Sequence, residues 1–133
     1  MRALAVLLVS GFALTVLAAC GGGSNVGEGA LVGPAEFAAA VARPGTVTVN
    51  VHVPDEGSIR GTDLWIPYDQ IETRADSLPA RSRPLAVYCR SGSMSALAVA
   101  KLRALGYESV TELDGGMIAW EASGRPLLPP RRT

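Results

Sequence analysis

One seven-residue segment holds the side chains best suited to chemistry: Cys89-Arg90-Ser91-Gly92-Ser93-Met94-Ser95. We call residues 89–95 the Cys89 loop. It follows an apolar run, Leu85 to Tyr88, that is typical of a buried parallel strand, and it leads into a helical pattern. Open α/β folds bind ligands at the carboxyl ends of such strands. Because glycine and serine permit a tight turn and the following helix adds partial positive charge, the loop's backbone N–H groups are predicted to form an anion cradle.

In such a cradle Cys89 is predicted to be a nucleophile, because an electropositive setting favours the reactive thiolate. Arg90 is the only cation in the loop and could hold an anionic substrate. The alternative is that Cys89 is simply a small buried side chain at a strand end, since cysteine is among the most buried residue types.

The elements that must position this loop alternate in type along the chain. Period-two valines predict a strand at 47–53, and a shorter apolar run predicts another at 110–113. Helices are predicted at 34–41, 93–105 and 116–122, and a short helical segment at 68–75. The 93–105 helix is apolar nearly all round, so we expect it to be well buried. Strands that alternate with helices favour an α/β domain with a central, mainly parallel sheet flanked by helices on both faces.

Composition excludes several function classes. The 133 residues include 12 Lys plus Arg and 12 Asp plus Glu, so the chain has no electrostatic footprint for nucleic acid. Two cysteines and one histidine cannot supply a four-ligand Cys/His zinc site, and we expect no metal or cofactor. The absence of a CxxC motif excludes thioredoxin-type redox chemistry.

The first residues form a targeting segment. After Met1-Arg2, residues 3–19 are almost wholly apolar, and Leu17-Ala18-Ala19-Cys20 resembles the lipobox of bacterial lipoproteins. The resemblance implies a signal peptide at 1–19, a diacylglycerol on Cys20, a flexible tether at 20–29 and a folded domain at 30–133. We therefore expect a cell-envelope protein anchored by lipid on the extracytoplasmic side of the bacterial membrane. An uncleaved signal anchor and an ordinary cleaved signal are the alternatives.

The Cys89 loop and the segments after it resemble the rhodanese-like family over roughly residues 31–128. The residues that carry the likeness are Cys89-Arg90-Ser91-Gly92, Leu105-Gly106-Tyr107, Leu113-Asp114-Gly115-Gly116-Met117-Ile118-Ala119-Trp120 and Gly124-Arg125-Pro126-Leu127. The resemblance implies a single-domain α/β fold and a sulfurtransferase. In that chemistry Cys89 takes the outer sulfur of a thiosulfate-like donor, sulfite leaves, and the persulfide passes its sulfur to cyanide, a thiol or a protein partner.

The resemblance also implies that the rest of the loop binds substrate. These positions are Arg90, Ser91, Gly92, Ser93, Met94 and Ser95. Arg90 would hold the anionic end of the donor, and the loop N–H groups would stabilise the thiolate and the persulfide.

Three positions depart from the family pattern. Asn50-Val51-His52 replaces the usual Asp-x-Arg, and residues 57–62 lack the usual histidine. Met94 replaces a second loop arginine, which removes a bidentate anion ligand. The pocket is therefore expected to be less cationic than usual. His52 could assist the thiolate or fill the structural place of the family's arginine.

Two other functions are alternatives to a sulfurtransferase. A related phosphatase or arsenate reductase loop needs an arginine six residues after the cysteine, and this chain has Ser95 there. A non-catalytic module that binds a partner or relays persulfide is favoured by the altered first half, whereas the intact Cys89 argues against it.

Overall fold

The computed structural model describes residues 30–132, and the targeting segment and tether expected at 1–29 lie outside them. The five strands are β1 (Leu31–Val32), β2 (Val47–Asn50), β3 (Leu64–Trp65), β4 (Leu85–Tyr88) and β5 (Val110–Leu113). The helices are α1 (Pro34–Ala42), α2 (Ser93–Ala104) and α3 (Gly116–Ala122), with a 3-10 turn at Ala75–Ser77.

The strands form one sheet in the order β1-β5-β4-β2-β3, and all the pairings between them are parallel. Strand β4 lies at its centre and is buried along its whole length, as its unbroken apolar sequence predicts. The predicted α/β class is therefore confirmed, and the sheet is entirely rather than mainly parallel.

Side chains of β4 point alternately to two apolar clusters, one on each face of the sheet. Leu85 and Val87 pack with α2, whose buried residues include Val99 and Leu102. Ala86 and Tyr88 pack in the second cluster, with α1 and α3. Helices thus cover both faces, as predicted.

The phenol of Tyr88 ties the second face to the loop after β2. Its oxygen accepts the Ile59 N–H at 2.9 Å and shares a hydrogen bond with the Thr62 hydroxyl at 2.7 Å. Burial raises the pKa of this phenol above its ordinary value, because the interior disfavours the phenolate.

Three predictions about the elements are corrected. Strand β2 ends at Asn50 rather than at residue 53, because the Asn50 side-chain oxygen accepts the His52 N–H at 2.9 Å. The helix predicted at 68–75 is a series of turns, in which the Thr73 hydroxyl donates to the Gln70 carbonyl and competes with helical bonding. Helix α2 is buried along one face only, since Leu97 is 55% exposed. No helix within residues 30–132 is long and apolar enough to cross a bilayer.

Candidate active site

The Cys89 loop lies where the sheet changes direction. From β2 the chain moves outward to β3, whereas from β4 it moves through α2 to β5 on the opposite side. Strands β2 and β4 are neighbours, with Asn50 beside Tyr88 at their carboxyl ends. Connections that diverge from adjacent parallel strands leave a crevice between them, and this is where open α/β sheets bind ligands. The predicted position of the loop is therefore the position that topology favours for a site.

The Cys89 sulfur meets one backbone donor and one hydroxyl. The Gly92 N–H points at Sγ from 3.0 Å, and Ser95 Oγ lies 3.4 Å from the same sulfur. Gly92 reaches this position with φ of 104°, a left-handed conformation that suits glycine. The residue Cys89 is only 1% exposed. The sulfur is therefore covered, and within residues 30–132 its contact with the backbone is a single N–H rather than a full ring of them.

The N-terminus of α2 begins immediately after this contact. Gly92 is its N-cap, and no side chain caps it. The first N–H groups of a helix have no partners within the helix, so an uncapped N-terminus is a ready anion site with partial positive charge. Ser93 and Met94 stand in this first turn, and Ser91 precedes it with its hydroxyl 3.3 Å from that of Ser93. The loop thus offers backbone donors on the α2 side of the sulfur.

Helix α3 fixes the loop backbone from the other side. Its Met117 N–H donates to the Cys89 carbonyl at 2.9 Å, and its Ile118 N–H donates to the Arg90 carbonyl at 3.1 Å. Gly116 lies so close that a Cβ atom there would stand 2.4 Å from the Cys89 carbonyl oxygen. Gly116 therefore has a structural role, which is to let α3 and the Cys89 loop touch.

Ser95 connects the sulfur to a carboxylate that the sequence analysis did not single out. Its hydroxyl donates to Glu112 Oε1 at 2.7 Å, with the Gly92 carbonyl as a second acceptor at 3.1 Å. With its proton turned to these oxygens, Ser95 Oγ presents a lone pair to the Cys89 thiol. Glu112 lies on β5 beside Val87 of β4, two residues before the cysteine. A charged residue inside a short strand next to the central one was the signal available in the sequence.

Arg90 belongs to a chain of charged groups that leads away from the sulfur. Its guanidinium lies 3.7 Å from Glu56 Oε1, and the other Glu56 oxygen bonds to Nε2 of His52. The Arg90 side chain is 44% exposed, whereas that of His52 is only 8% exposed. The sequence did not single out Glu56 either. Its carboxylate partly neutralises Arg90, the one cation of the loop, and links it through His52 to the end of β2.

Met94 is half-buried and packs against the apolar cluster that contains Cys89. The structure therefore gathers every predicted loop residue at one end of β4, with Gly92 and Ser95 contacting the sulfur and Arg90 facing Glu56. Ser95 also occupies the position that a phosphatase loop fills with arginine, and a carboxylate stands behind it.

The family model for the rhodanese-like domain matches residues 34–123, which contain all of this geometry. The chain belongs to the rhodanese-like family. A protein of Allochromatium vinosum named sulfurtransferase is 40% identical over 67 residues, a match that covers 50% of this chain and 62% of that relative. The matched region thus spans less than two thirds of the relative's length.

Solved rhodanese structures share the fold. A rhodanese-related protein from Thermoplasma volcanium is 27% identical, with a TM-score of 0.63 over 74% of this chain and 96% of that one. A rhodanese-like domain of Alr3790 from Anabaena is 28% identical, with a TM-score of 0.65 over 74% and 78% of the two chains.

In the first half of this rhodanese-like chain, the residues that depart from the family pattern still connect strand β2 to the Cys89 loop, through different contacts. Asn50 donates through its amide nitrogen to the Gly57 carbonyl at 3.1 Å, which holds the loop after β2 against the strand. His52 then bonds to Glu56 on that same loop, and Glu56 reaches Arg90. The neutral amide and the imidazole thus link β2 to the Cys89 loop.

Proposed function

We propose that this protein is a sulfurtransferase that moves sulfane sulfur from a thiosulfate-like anionic donor to a nucleophilic acceptor through a persulfide on Cys89. The observation that carries the proposal is the placement of the Cys89 sulfur against the Gly92 N–H, 3.0 Å away, at the uncapped start of α2. Family membership and the relative named sulfurtransferase support the same class of reaction.

The first step forms a sulfur–sulfur bond on the enzyme. Cys89 loses its proton to a water molecule that enters the loop with the donor, and the thiolate attacks the outer sulfur of the donor. The donor's own S–S bond breaks, sulfite leaves with the electron pair, and the persulfide remains on Cys89. The Gly92 N–H and the partial positive charge at the start of α2 stabilise both the thiolate and the persulfide anion.

The second step returns the thiolate. A nucleophile such as cyanide or a thiol bonds to the outer sulfur, and the persulfide bond breaks with its electron pair left on Cys89. Arg90 attracts the anionic end of the donor from the rim of the loop, at reduced strength because Glu56 stands 3.7 Å away. The donor contacts the N–H groups of Ser93, Met94 and Ser95 in the first turn of α2 and that of Ser91 just before the helix.

A carrier that holds persulfide without rapid turnover is the second candidate. It is favoured by the altered first half of the chain, in which Asn50 and His52 replace the usual charged residues, whereas the 1% exposure of Cys89 restricts donor and acceptor alike. The two candidates share the first step and differ only in the second.

Thiocyanate formation from thiosulfate and cyanide tests the proposal and separates the candidates. We expect the full-length protein to turn over and Cys89→Ser to lose the activity entirely. Cys20→Ser is the matched control, because it removes the other cysteine and should leave turnover in solution intact. A protein that accepts sulfur but yields thiocyanate in no more than one equivalent is a carrier. A Cys89→Ser variant as active as the wild type would overturn both candidates.

We also propose that Cys20 carries a lipid that anchors the protein on the extracytoplasmic side of the bacterial membrane. The support is the Leu17-Ala18-Ala19-Cys20 pattern after an apolar run. Expressed in a bacterial host, the wild type should be found in the membrane fraction with a diacylglycerol on Cys20. Cys20→Ser should remain unlipidated, and an unlipidated wild type cleaved elsewhere would refute the anchor.

A further inference from the structure

A cavity opens at the same edge of the sheet, one strand away from the Cys89 loop. Its volume is about 270 Å³, and its lining includes Asn50 and Trp65, the last residues of β2 and β3. Asn50 and Trp65 are neighbours in the sheet register. Cys89 and the rest of the loop are not among its lining residues, so the cavity is separate from the candidate active site.

Two ring nitrogens of this lining are buried without a hydrogen-bond partner in the part of the chain that the structure describes. They are Nε1 of Trp65 and Nδ1 of His52. The indole N–H can only donate, so it needs an acceptor. Nε2 of His52 faces the Glu56 carboxylate and therefore carries a proton, so that Nδ1 is an acceptor whenever the ring is neutral. Buried polar groups are rarely left unpaired, because each costs about 1–3 kcal/mol. One ligand that both accepts and donates a hydrogen bond would therefore pair both nitrogens.

The charge around these nitrogens favours an anion. The cavity is lined by Arg74, Arg131 and Asp55. The Arg131 guanidinium lies 4.4 Å over the Trp65 ring and bonds to Asp55 at 2.9 Å. Arg74 reaches the Trp65 carbonyl at 3.4 Å. Two guanidinium groups against one carboxylate leave a net positive charge among the lining side chains, with the Glu56 carboxylate outside the lining on the other nitrogen of His52.

From these contacts we propose that the cavity binds a small oxyanion that retains one proton, the class to which hydrogensulfite and hydrogenphosphate belong. Its oxygens accept from the Trp65 indole and the two arginines, and its hydroxyl donates to Nδ1 of His52. Hydrogensulfite is what a thiosulfate-like donor leaves behind, so this source rests on the proposed function. Hydrogenphosphate from the surroundings does not depend on it.

The two tryptophans of the chain provide an internal comparison for the test. The indole N–H of Trp120 already donates to the Pro126 carbonyl at 3.2 Å, whereas that of Trp65 is unpartnered. We would titrate the full-length Cys89→Ser protein, which cannot form a persulfide, with phosphate, sulfite and sulfate at constant ionic strength. The readout is the pair of indole ¹H–¹⁵N signals, assigned with Trp65→Phe.

The expected result is a saturable shift of the Trp65 signal with phosphate and sulfite while the Trp120 signal stays in place. Arg74→Gln and Arg131→Gln should each weaken binding by about tenfold, because each removes a charge-assisted donor. Arg125→Gln is the matched control, since Arg125 lies 5.4 Å over the Trp120 ring and should leave binding unchanged.

Three results would overturn the site: a Trp65 signal that none of the anions moves, parallel shifts of both indoles, or sulfate that binds as tightly as phosphate, since sulfate brings no proton for His52. Binding of phosphate but not sulfite would assign the cavity to phosphate, and binding of sulfite alone would assign it to the reaction product. Because the protein used has no Cys89 thiol, failure here is independent of any failure to transfer sulfur.

Discussion

The carboxyl edge of the sheet is built in two different ways. At β4 the Cys89 loop is held by backbone groups: the Gly92 N–H on the sulfur, and the first N–H groups of α3 on the Cys89 and Arg90 carbonyls. At β2 and β3 the neighbouring wall is held by side chains, through the contacts of Glu56 with His52 and Arg90 and of Asp55 with Arg131.

This difference separates contacts that a single substitution removes from contacts that other side chains can replace. A backbone contact depends on the absence of a side chain, so one added carbon atom displaces it. A partly exposed ion pair contributes little and can be rebuilt from other residues. The chain departs from the family pattern at Asn50 and His52, on the side-chain wall, and at the Met94 side chain in the Cys89 loop, while Gly116 stands where the backbones of α3 and the loop meet.

Gly116→Ala tests the backbone side of the comparison and should have the largest effect. The new Cβ would stand 2.4–2.5 Å from backbone atoms of Cys89 and Arg90, at a φ of 57°. We expect the free energy of unfolding to fall by about 2–4 kcal/mol, together with loss of sulfur loading on Cys89. Chemical denaturation measures the first quantity.

Gly124→Ala is the matched control at the other end of α3. It also has a positive φ, 83°, but nothing lies within 4 Å of its Cβ position. It should cost only about 1 kcal/mol, the penalty of the left-handed conformation. Equal losses for the two variants would mean that the contact between α3 and the Cys89 loop does not matter.

Glu112→Gln should raise the reactivity of Cys89. The Glu112 carboxylate keeps the Ser95 proton turned away from the sulfur, and its negative charge opposes the thiolate. Removing the charge should speed persulfide formation at pH 7 by about threefold to tenfold. Stopped-flow detection of sulfite release measures this rate. Glu108→Gln, at an exposed position before β5, should leave it unchanged. A slower Glu112→Gln variant would show instead that the carboxylate assists the loss of the thiol proton.

Glu56→Gln tests the side-chain wall and should have a smaller effect. Without the carboxylate 3.7 Å away, Arg90 presents its full charge to the donor. We expect KM for thiosulfate to fall by about twofold to threefold at low salt, with kcat unchanged, because an exposed charge acts weakly and is screened. Glu72→Gln, which removes the exposed partner of Lys101, is the control. A large fall in the free energy of unfolding of Glu56→Gln would show instead that the side-chain wall stabilises the fold.

Asp55→Asn should have the smallest effect, and only in acid. The hydrogen bond from Arg131 lowers the pKa of Asp55 below its ordinary value of 3.8. A lowered pKa means that this stabilisation is present above pH 3.8 and is lost as the pH falls through the folded-state value. For an exposed pair it amounts to about 0.2–1 kcal/mol. The melting temperature should therefore fall less steeply between pH 6 and pH 2 in Asp55→Asn than in the wild type. Arg131→Gln should give the same profile, and an unchanged slope in both would contradict the pairing.

The sequence was sufficient to predict the regular elements near the site. The apolar run of β4, the alternation at β2 and the stop signal at Gly106 correspond to burial and to chain reversal, which local residue types determine. The helix expected at 68–75 does not form, because turns in which a side-chain hydroxyl donates to a backbone carbonyl compete with a helix of that length.

The partners of the loop could not be predicted in the same way. Glu112 reaches Ser95 from a strand 17 residues further along the chain, and Glu56 reaches Arg90 from the loop after β2. Such contacts follow from the strand order, which places β5 and β2 on either side of β4. Likewise, the tight contact of Gly116 with Cys89 depends on how α3 packs and not on the residues around either one.

Persulfide formation on Cys89 is tested by the intact mass of the full-length protein after incubation with thiosulfate and removal of the excess. We expect a gain of one sulfur atom per chain, mapped by peptide analysis to Cys89 and removed by cyanide. An unchanged mass, or sulfur found on the protein when Cys89 is replaced by serine, would contradict it.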